Sequence, residues 1–397
     1  MVSLRPTLSA ACCHAALTLG LLSSPAWSAD PPSAPAKTAP APAADPFAIP
    51  EGNDERALQM FLQRLLQAEP GEPTPEKISE HLNKIEGVVA QVLARPVGDQ
   101  FYKSVAELRL QLFTVLNDLG DRTAAARSEA FLKELAASNR AGVPALAQRY
   151  LMSQRIEKIS QLPPEGQKAV VDEVLGLIKN VKKGDDEALE YAIESSMTLN
   201  GLLQRENSPL AITAIEGMIP AIQALNDERL VEVVNSLQGT LRRLKLVGNA
   251  PEIAGKTIDG QDFNIASLKG KVVLIDFWAT WCGPCKAEMP GLKRLREAYG
   301  PEKFEIVGVN VDTEKEDVQK YLAQTGIAWP QLYEENQEAS DPKWPARYYD
   351  IRALPTTILV NAEGKVVALN PRGPILEEEL TKLLGPVPER KTEEAAK

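Results

Sequence analysis

Apolar positions recur at spacings of three and four through most of residues 53–247, and the pattern changes near Ala250. In DERALQMFLQRLLQ, Leu58, Phe61, Leu62, Leu65 and Leu66 fall on one face of a helix. In TPEKISEHLNKIEGVVAQVLA the stripe is Ile78, Leu82, Ile85, Val88, Val89 and Val92, with Thr74 placed as N-cap and Pro75 in the first turn. YKSVAELRLQLFTVLNDLG closes at Gly120, a stop signal. Further helical patterns span 122–137, 143–160, 164–182, 185–205, 208–225 and 227–246, with Gly184, Asn207 and Asn226 at breaks. About nine helices with short connections predict antiparallel neighbours in a bundle or an irregular α-solenoid. No fixed period singles out a named repeat.

Beyond Ala250 the runs shorten and begin to alternate. PEIAGKTIDGQDFNIASL carries Asp259-Gly260, a hairpin signal. KVVLIDFW (271–278) and FEIVGVNV (304–311) are continuous apolar runs suited to buried strands. Helical patterns start near Cys282, at 314–326 with Gly326 as the stop, and at 375–385; 355–369 reads as two strands about Glu363-Gly364. Strands alternating with helices predict an α/β layered domain.

The chain of 397 residues is long enough for two or three units. Its first 28 residues read as an export signal: Arg5, an apolar stretch to about Leu22, then Ala26-Trp27-Ser28 before Ala29. The apolar stretch is short for a spanning anchor, and Ser9 and Ala10 stand where a lipobox ahead of Cys12 or Cys13 needs an aliphatic residue. Residues 31–50 are almost all Pro, Ala and Ser, a composition for extended spacer rather than core. The formal charge of −10, with no basic stripe, speaks against a nucleic-acid binder. Export would place the mature chain in a periplasm or cell envelope, where disulfides are permitted.

Of four cysteines, cleavage would leave Cys282 and Cys285, and of two histidines His81. A structural zinc site needs four ligands, so no metal is expected. A three-residue loop gains little from a structural disulfide. A working redox couple remains. The strand-to-helix junction puts Cys282 at a helix N-terminus, where unpaired N–H groups favour its thiolate. Cys285, one turn on, can resolve a mixed disulfide formed at Cys282. Gly283 permits close backbone approach, and Pro284 shapes the first turn. Asp276, an acid inside an apolar strand, should lie buried beneath the motif and take the proton of Cys285. Leu354-Pro355 precedes a strand; its isomer is not legible in the sequence.

WCGPC at 281–285, the strand carrying Asp276 and ALPTT at 353–357 together resemble the thioredoxin superfamily. FWATWCGPCKAEMP, the leading hairpin and VGVNVDTEKEDVQKYL resemble its TlpA/ResA-like branch over about 248–385. The resemblance implies Cys282 as attacking and Cys285 as resolving cysteine, Pro355 as a cis proline facing the disulfide, and Trp281 as a flanking platform. Gly283, Pro284, Leu354 and Thr356 join Trp281 as expected substrate contacts. Many members of the branch carry Asn where Asp276 stands; Asp is the thioredoxin choice. The Gly-Pro pair between the cysteines resembles reducing thioredoxins, whereas strong oxidants usually carry a His there.

The expectation is thus a multidomain chain: signal peptide (1–28), Pro/Ala-rich linker (29–52), all-α domain (53–247), α/β thioredoxin-like domain (248–386) and charged tail (387–397). It would be an exported protein-disulfide reductase with no cofactor beyond the Cys282–Cys285 couple. Its partners would be disulfide-containing proteins and a thiol electron donor. Two alternatives stand beside it. A thiol peroxidase would carry Pro-x-x-x-Thr-x-x-Cys, which the residues before Cys282 do not supply. In the other, the helical domain is the main functional part and binds a partner protein, with an accessory redox domain.

Overall fold

The computed structural model describes residues 45–68, 74–205, 209–335 and 341–388. The expected signal peptide, most of the linker and the tail from 389 onward lie outside the described residues. No helix among the described residues is long and apolar enough to cross a membrane. The described residues divide into two compact units, one ending at Lys158 and one beginning at Ile159. That division falls inside the segment 53–247 read from sequence as one helical domain: its last four helices belong with the sheet.

The first unit contains α1 (Glu55–Leu66), α2 (Pro75–Leu93), α3 (Asp99–Asp118), α4 (Ala124–Ala136) and α5 (Val143–Glu157). The α2 stripe from Ile78 to Val92 is buried, and Thr74 caps the helix by accepting the Lys77 N–H. Glu86 is buried among these apolar residues, and both its oxygens are paired. Arg109 donates to one at 2.8 Å and Arg127 to the other at 3.0 Å, which offsets the cost of taking the carboxylate out of water. His81 is half-buried with its ring against Phe47.

The second unit opens with α6 (Pro164–Lys179), α7 (Asp186–Arg205), α8 (Pro209–Gln223) and α9 (Val231–Leu244). Hairpin β1 (Ala254–Lys256) and β2 (Asp262–Asn264) turns through Asp259-Gly260 as expected. It docks on the sheet where Ile258 N–H donates to the Gln331 carbonyl. The main sheet contains β3 (Val272–Trp278), β4 (Phe304–Asn310), β5 (Gln331–Leu332), β6 (Thr356–Val360) and β7 (Val366–Leu369). Their order is β5-β4-β3-β6-β7, with β3, β4 and β5 parallel and β6 and β7 antiparallel. Helices α10 (Gly283–Tyr299), α11 (Lys315–Thr325), α12 (Pro345–Tyr348) and α13 (Pro374–Leu384) complete it.

Successive residues of a strand face opposite sides, and β3 shows what covers each. Val272, Leu274 and Trp278 pack with Met289, Leu292 and Leu295 of α10 and with Leu376 and Leu380 of α13. Val273, Ile275 and Phe277 pack on the other side with Trp344, Tyr349 and Ile253. Both faces are covered, so the strand reads as an unbroken apolar run. By the same alternation Asp276 belongs to the face under α10.

Candidate active site

The site forms where β3 ends and α10 begins. Cys282 is the N-cap of α10, and its Sγ accepts the backbone N–H of Cys285 at 3.2 Å. The two cysteines are joined in a disulfide with Cα atoms 5.3 Å apart. Pro284 sits in the first turn, where its missing N–H costs nothing. Cys285 is 1% exposed and Cys282 5%, whereas Trp281 beside them is 68% exposed. Gly283 and Pro284 are also exposed.

A buried network holds the approach to Cys282. Asp312, just after β4, accepts the backbone N–H of Thr280 at 2.8 Å and its hydroxyl at 2.5 Å. Asn310 donates to the same carboxylate at 2.7 Å. Beneath this loop, Trp278 donates its indole N–H to Gln331 Oε1 at 2.8 Å. Gln331 lies over Gly308, where an added Cβ would come within 2.0 Å of Oε1. The absence of a side chain at Gly308 thus makes room for the amide that fixes Trp278.

Asp276 is 2% exposed. It stands between Gly308 on β4 and Thr357 on β6. Burial pushes its carboxyl up to about 7; Glu288 raises it further by charge, and Arg372 opposes that. Glu288 is one turn beyond Cys285 on α10, and Arg372 Nε donates to it at 2.7 Å. Both line a 220 Å³ cleft that also includes Thr357, the strand neighbour of Asp276. No local sequence pattern joins this pair. Glu288 had a signal, three residues after Cys285 in a helix; Arg372, 84 residues further on, had none.

The Leu354–Pro355 peptide bond is cis. Thr356 opens β6 opposite Phe277, so Leu354 and Pro355 come to the same end of the sheet as the cysteines. Leu354 packs against the cluster containing Cys282 and Cys285. Pro355 and Thr356 are buried, and the Thr356 hydroxyl donates to the Ala353 carbonyl at 2.7 Å. The structure therefore brings the CGPC motif, Asp276 and the Leu354–Thr356 loop to one end of the domain.

Such a site can exchange thiols for disulfides. Residues 247–369 match the AhpC/TSA family. The chain is similar to the thiol-disulfide oxidoreductase ResA of Bacillus subtilis, 35% identical over 119 residues, or 30% of this chain and 63% of that one. It thus spans less than two thirds of that relative. ResA of Halalkalibacterium halodurans is 32% identical over 131 residues, covering 32% of this chain and 71% of the relative. Among solved structures, the thioredoxin domain of a thiol-disulfide oxidoreductase from Bacteroides vulgatus is 34% identical. It covers 35% of this chain and 97% of that one, with a TM-score of 0.32.

Proposed function

We propose, from the premise that this chain belongs through its C-terminal domain to the ResA family of thiol-disulfide oxidoreductases, that it is an exported reductase of protein disulfides. Its working group is the Cys282–Cys285 couple. The observation that carries the reading is the Cys285 N–H directed at Cys282 Sγ at the head of α10. A positive helix end favours the thiolate there.

In the reduced protein the Cys282 thiolate attacks one sulfur of a substrate disulfide. A Cys282–substrate disulfide forms, and the other substrate sulfur leaves as a thiolate that takes a proton from solvent. Asp276 then takes the proton of Cys285. The Cys285 sulfur attacks Cys282 Sγ, closes the Cys282–Cys285 disulfide and expels the second substrate thiolate. Two electrons have passed to the substrate, and a thiol donor returns the couple to its reduced form. A carboxyl that titrates near 7 suits this step, because it is a competent base at neutral pH and can hold the proton it receives. Trp281, Gly283 and Pro284 present an exposed face to a protein substrate, and Leu354, Pro355 and Thr356 adjoin it.

Direction rests on the two residues between the cysteines. Gly283-Pro284 supplies no imidazolium to hold Cys282 as a thiolate, so the reduced form is not favoured as it is in strong oxidants. Periplasmic or envelope location rests on the N-terminal pattern, and disulfide-bearing envelope proteins are the matching substrates. Cys285→Ser in the mature protein should trap a mixed disulfide with an oxidised protein substrate, and Cys282→Ser should trap none. Peroxide consumption at a rate exceeding disulfide reduction would instead favour a thiol peroxidase.

A further inference from the structure

Helix α9 and the loop leading to Pro355 meet through a set of side-chain hydrogen bonds. Ser236, Gly239, Thr240 and Arg243 follow one another at spacings of three, one and three, so they share one face of the helix. Asp350 lies against that face. Its Oδ2 accepts both the Ser236 and Thr240 hydroxyls at 3.0 Å, and its Oδ1 accepts Arg352 Nε at 2.7 Å. Ser236 and Thr240 are themselves buried. Asp350 holds a φ of 50°, a conformation a non-glycine residue adopts at a cost.

The backbones approach closely here. A Cβ on Gly239 would lie 2.8 Å from Asp350 Cβ and 3.0 Å from its backbone nitrogen. The carbonyls of Tyr348 and Tyr349, at the C-terminus of α12, would be orphans of a four-residue helix. Arg242 Nε donates to the first at 3.0 Å and Arg243 Nε to the second at 3.1 Å. Arg242 also stacks over the Tyr348 ring, 4.3 Å from its centroid. On another side, the Tyr349 hydroxyl accepts the Glu252 N–H at 2.7 Å. Four residues after this clamp comes Leu354, which packs on the cluster holding both cysteines.

We infer that α9 is a positioning element of the redox site: Ser236 and Thr240, acting through Asp350, set where Leu354 and Pro355 stand beside the Cys282–Cys285 couple. The inference rests on the reductase reading and extends it to a helix that precedes the family-matched residues 247–369. A protein substrate must cover both the cysteines and the 351–355 loop, whereas a small disulfide needs only Cys282 Sγ. Loosening the brace should therefore slow the first reaction and spare the second.

The test uses the mature full-length chain. Ser236→Ala with Thr240→Val removes both hydroxyls and keeps the helix. Its kcat/KM for insulin reduction should fall about tenfold, the order expected of a misplaced contact surface. Its reduced form should react with dithiobis(nitrobenzoate) within about twofold of wild type, and Thr240→Ser should behave as wild type. Unchanged insulin kinetics, or an equal loss toward both disulfides, would overturn the inference. Amide exchange over 351–357 gives a readout independent of activity. It should quicken in the double variant and not in Thr240→Ser, and unaltered exchange would refute the brace. If the double variant does not fold, Asp350→Gly, which removes the acceptor and tolerates the φ of 50°, carries the same measurements. Wild-type protein inactive on insulin would count against the reductase reading alone, since the exchange comparison would still decide the brace.

Discussion

Asp312 accepts both the backbone N–H and the hydroxyl of Thr280, two residues before Cys282. With Asn310 as a third donor, this buried carboxylate fixes the loop that carries Trp281 and leads to Cys282. Asp312→Ala leaves one buried and two half-buried donors without their acceptor and should cost about 2–4 kcal/mol in chemical denaturation. Turnover on a protein disulfide should fall as well. Wild-type stability and turnover together would show that the loop holds itself.

On the proposed mechanism, Asp276 should link activity to pH. Its carboxyl titrates near 3.8 when unfolded and at about 7 in the fold. Between these values the unfolded chain is ionised while the folded protein keeps its proton. Stability should therefore decline as pH rises through that window and level off above it. The three-unit difference corresponds to roughly 4 kcal/mol at 1.36 kcal/mol per unit. Asp276→Asn should flatten this dependence and be the more stable protein above pH 7. It should also slow resolution of the mixed disulfide by about 100-fold, the usual scale of a lost general base. Urea unfolding from pH 3.5 to 8.5 and single-turnover resolution check the two halves.

Glu288 and Arg372 pull the same titration in opposite directions. Glu288→Gln should move the acid limb of the resolution profile to lower pH, and Arg372→Gln should move it to higher pH. Shifts of the same sign would mean that the pair acts on the site by packing alone.

Gly308→Ala should be harmful although alanine is small. Its methyl would meet Gln331 Oε1, the acceptor of the Trp278 indole N–H. A loss of about 2–3 kcal/mol in thermal or denaturant unfolding is expected, with altered Trp fluorescence. Gln331→Gly in the same chain should recover part of the loss, because it removes the clashing atom.

Chain-local patterns carried much of this architecture. The apolar runs of β3 and β4, the turn at Asp259-Gly260 and the α2 stripe were each legible because a few consecutive residues state them. Asp276 stood out as one acid in an apolar strand, and alternation placed it under α10. By contrast, β5 is two residues long and exists through its pairing with β4, so no run announces it. The division at 158/159 falls within an unbroken succession of helices, and periodicity does not say which face meets which partner. Glu288 with Arg372, and Ser236 and Thr240 with Asp350, join residues 84 to 114 positions apart. Only the fold brings such pairs together.

The most direct measurement is the equilibrium reduction potential of the protein, titrated in thiol–disulfide buffers with Cys282→Ser as the control. A reductase with Gly-Pro between its cysteines should titrate at a low potential, near the roughly −270 mV of thioredoxin. A value near the roughly −120 mV of strong oxidants would contradict the account and make the protein a donor of disulfides.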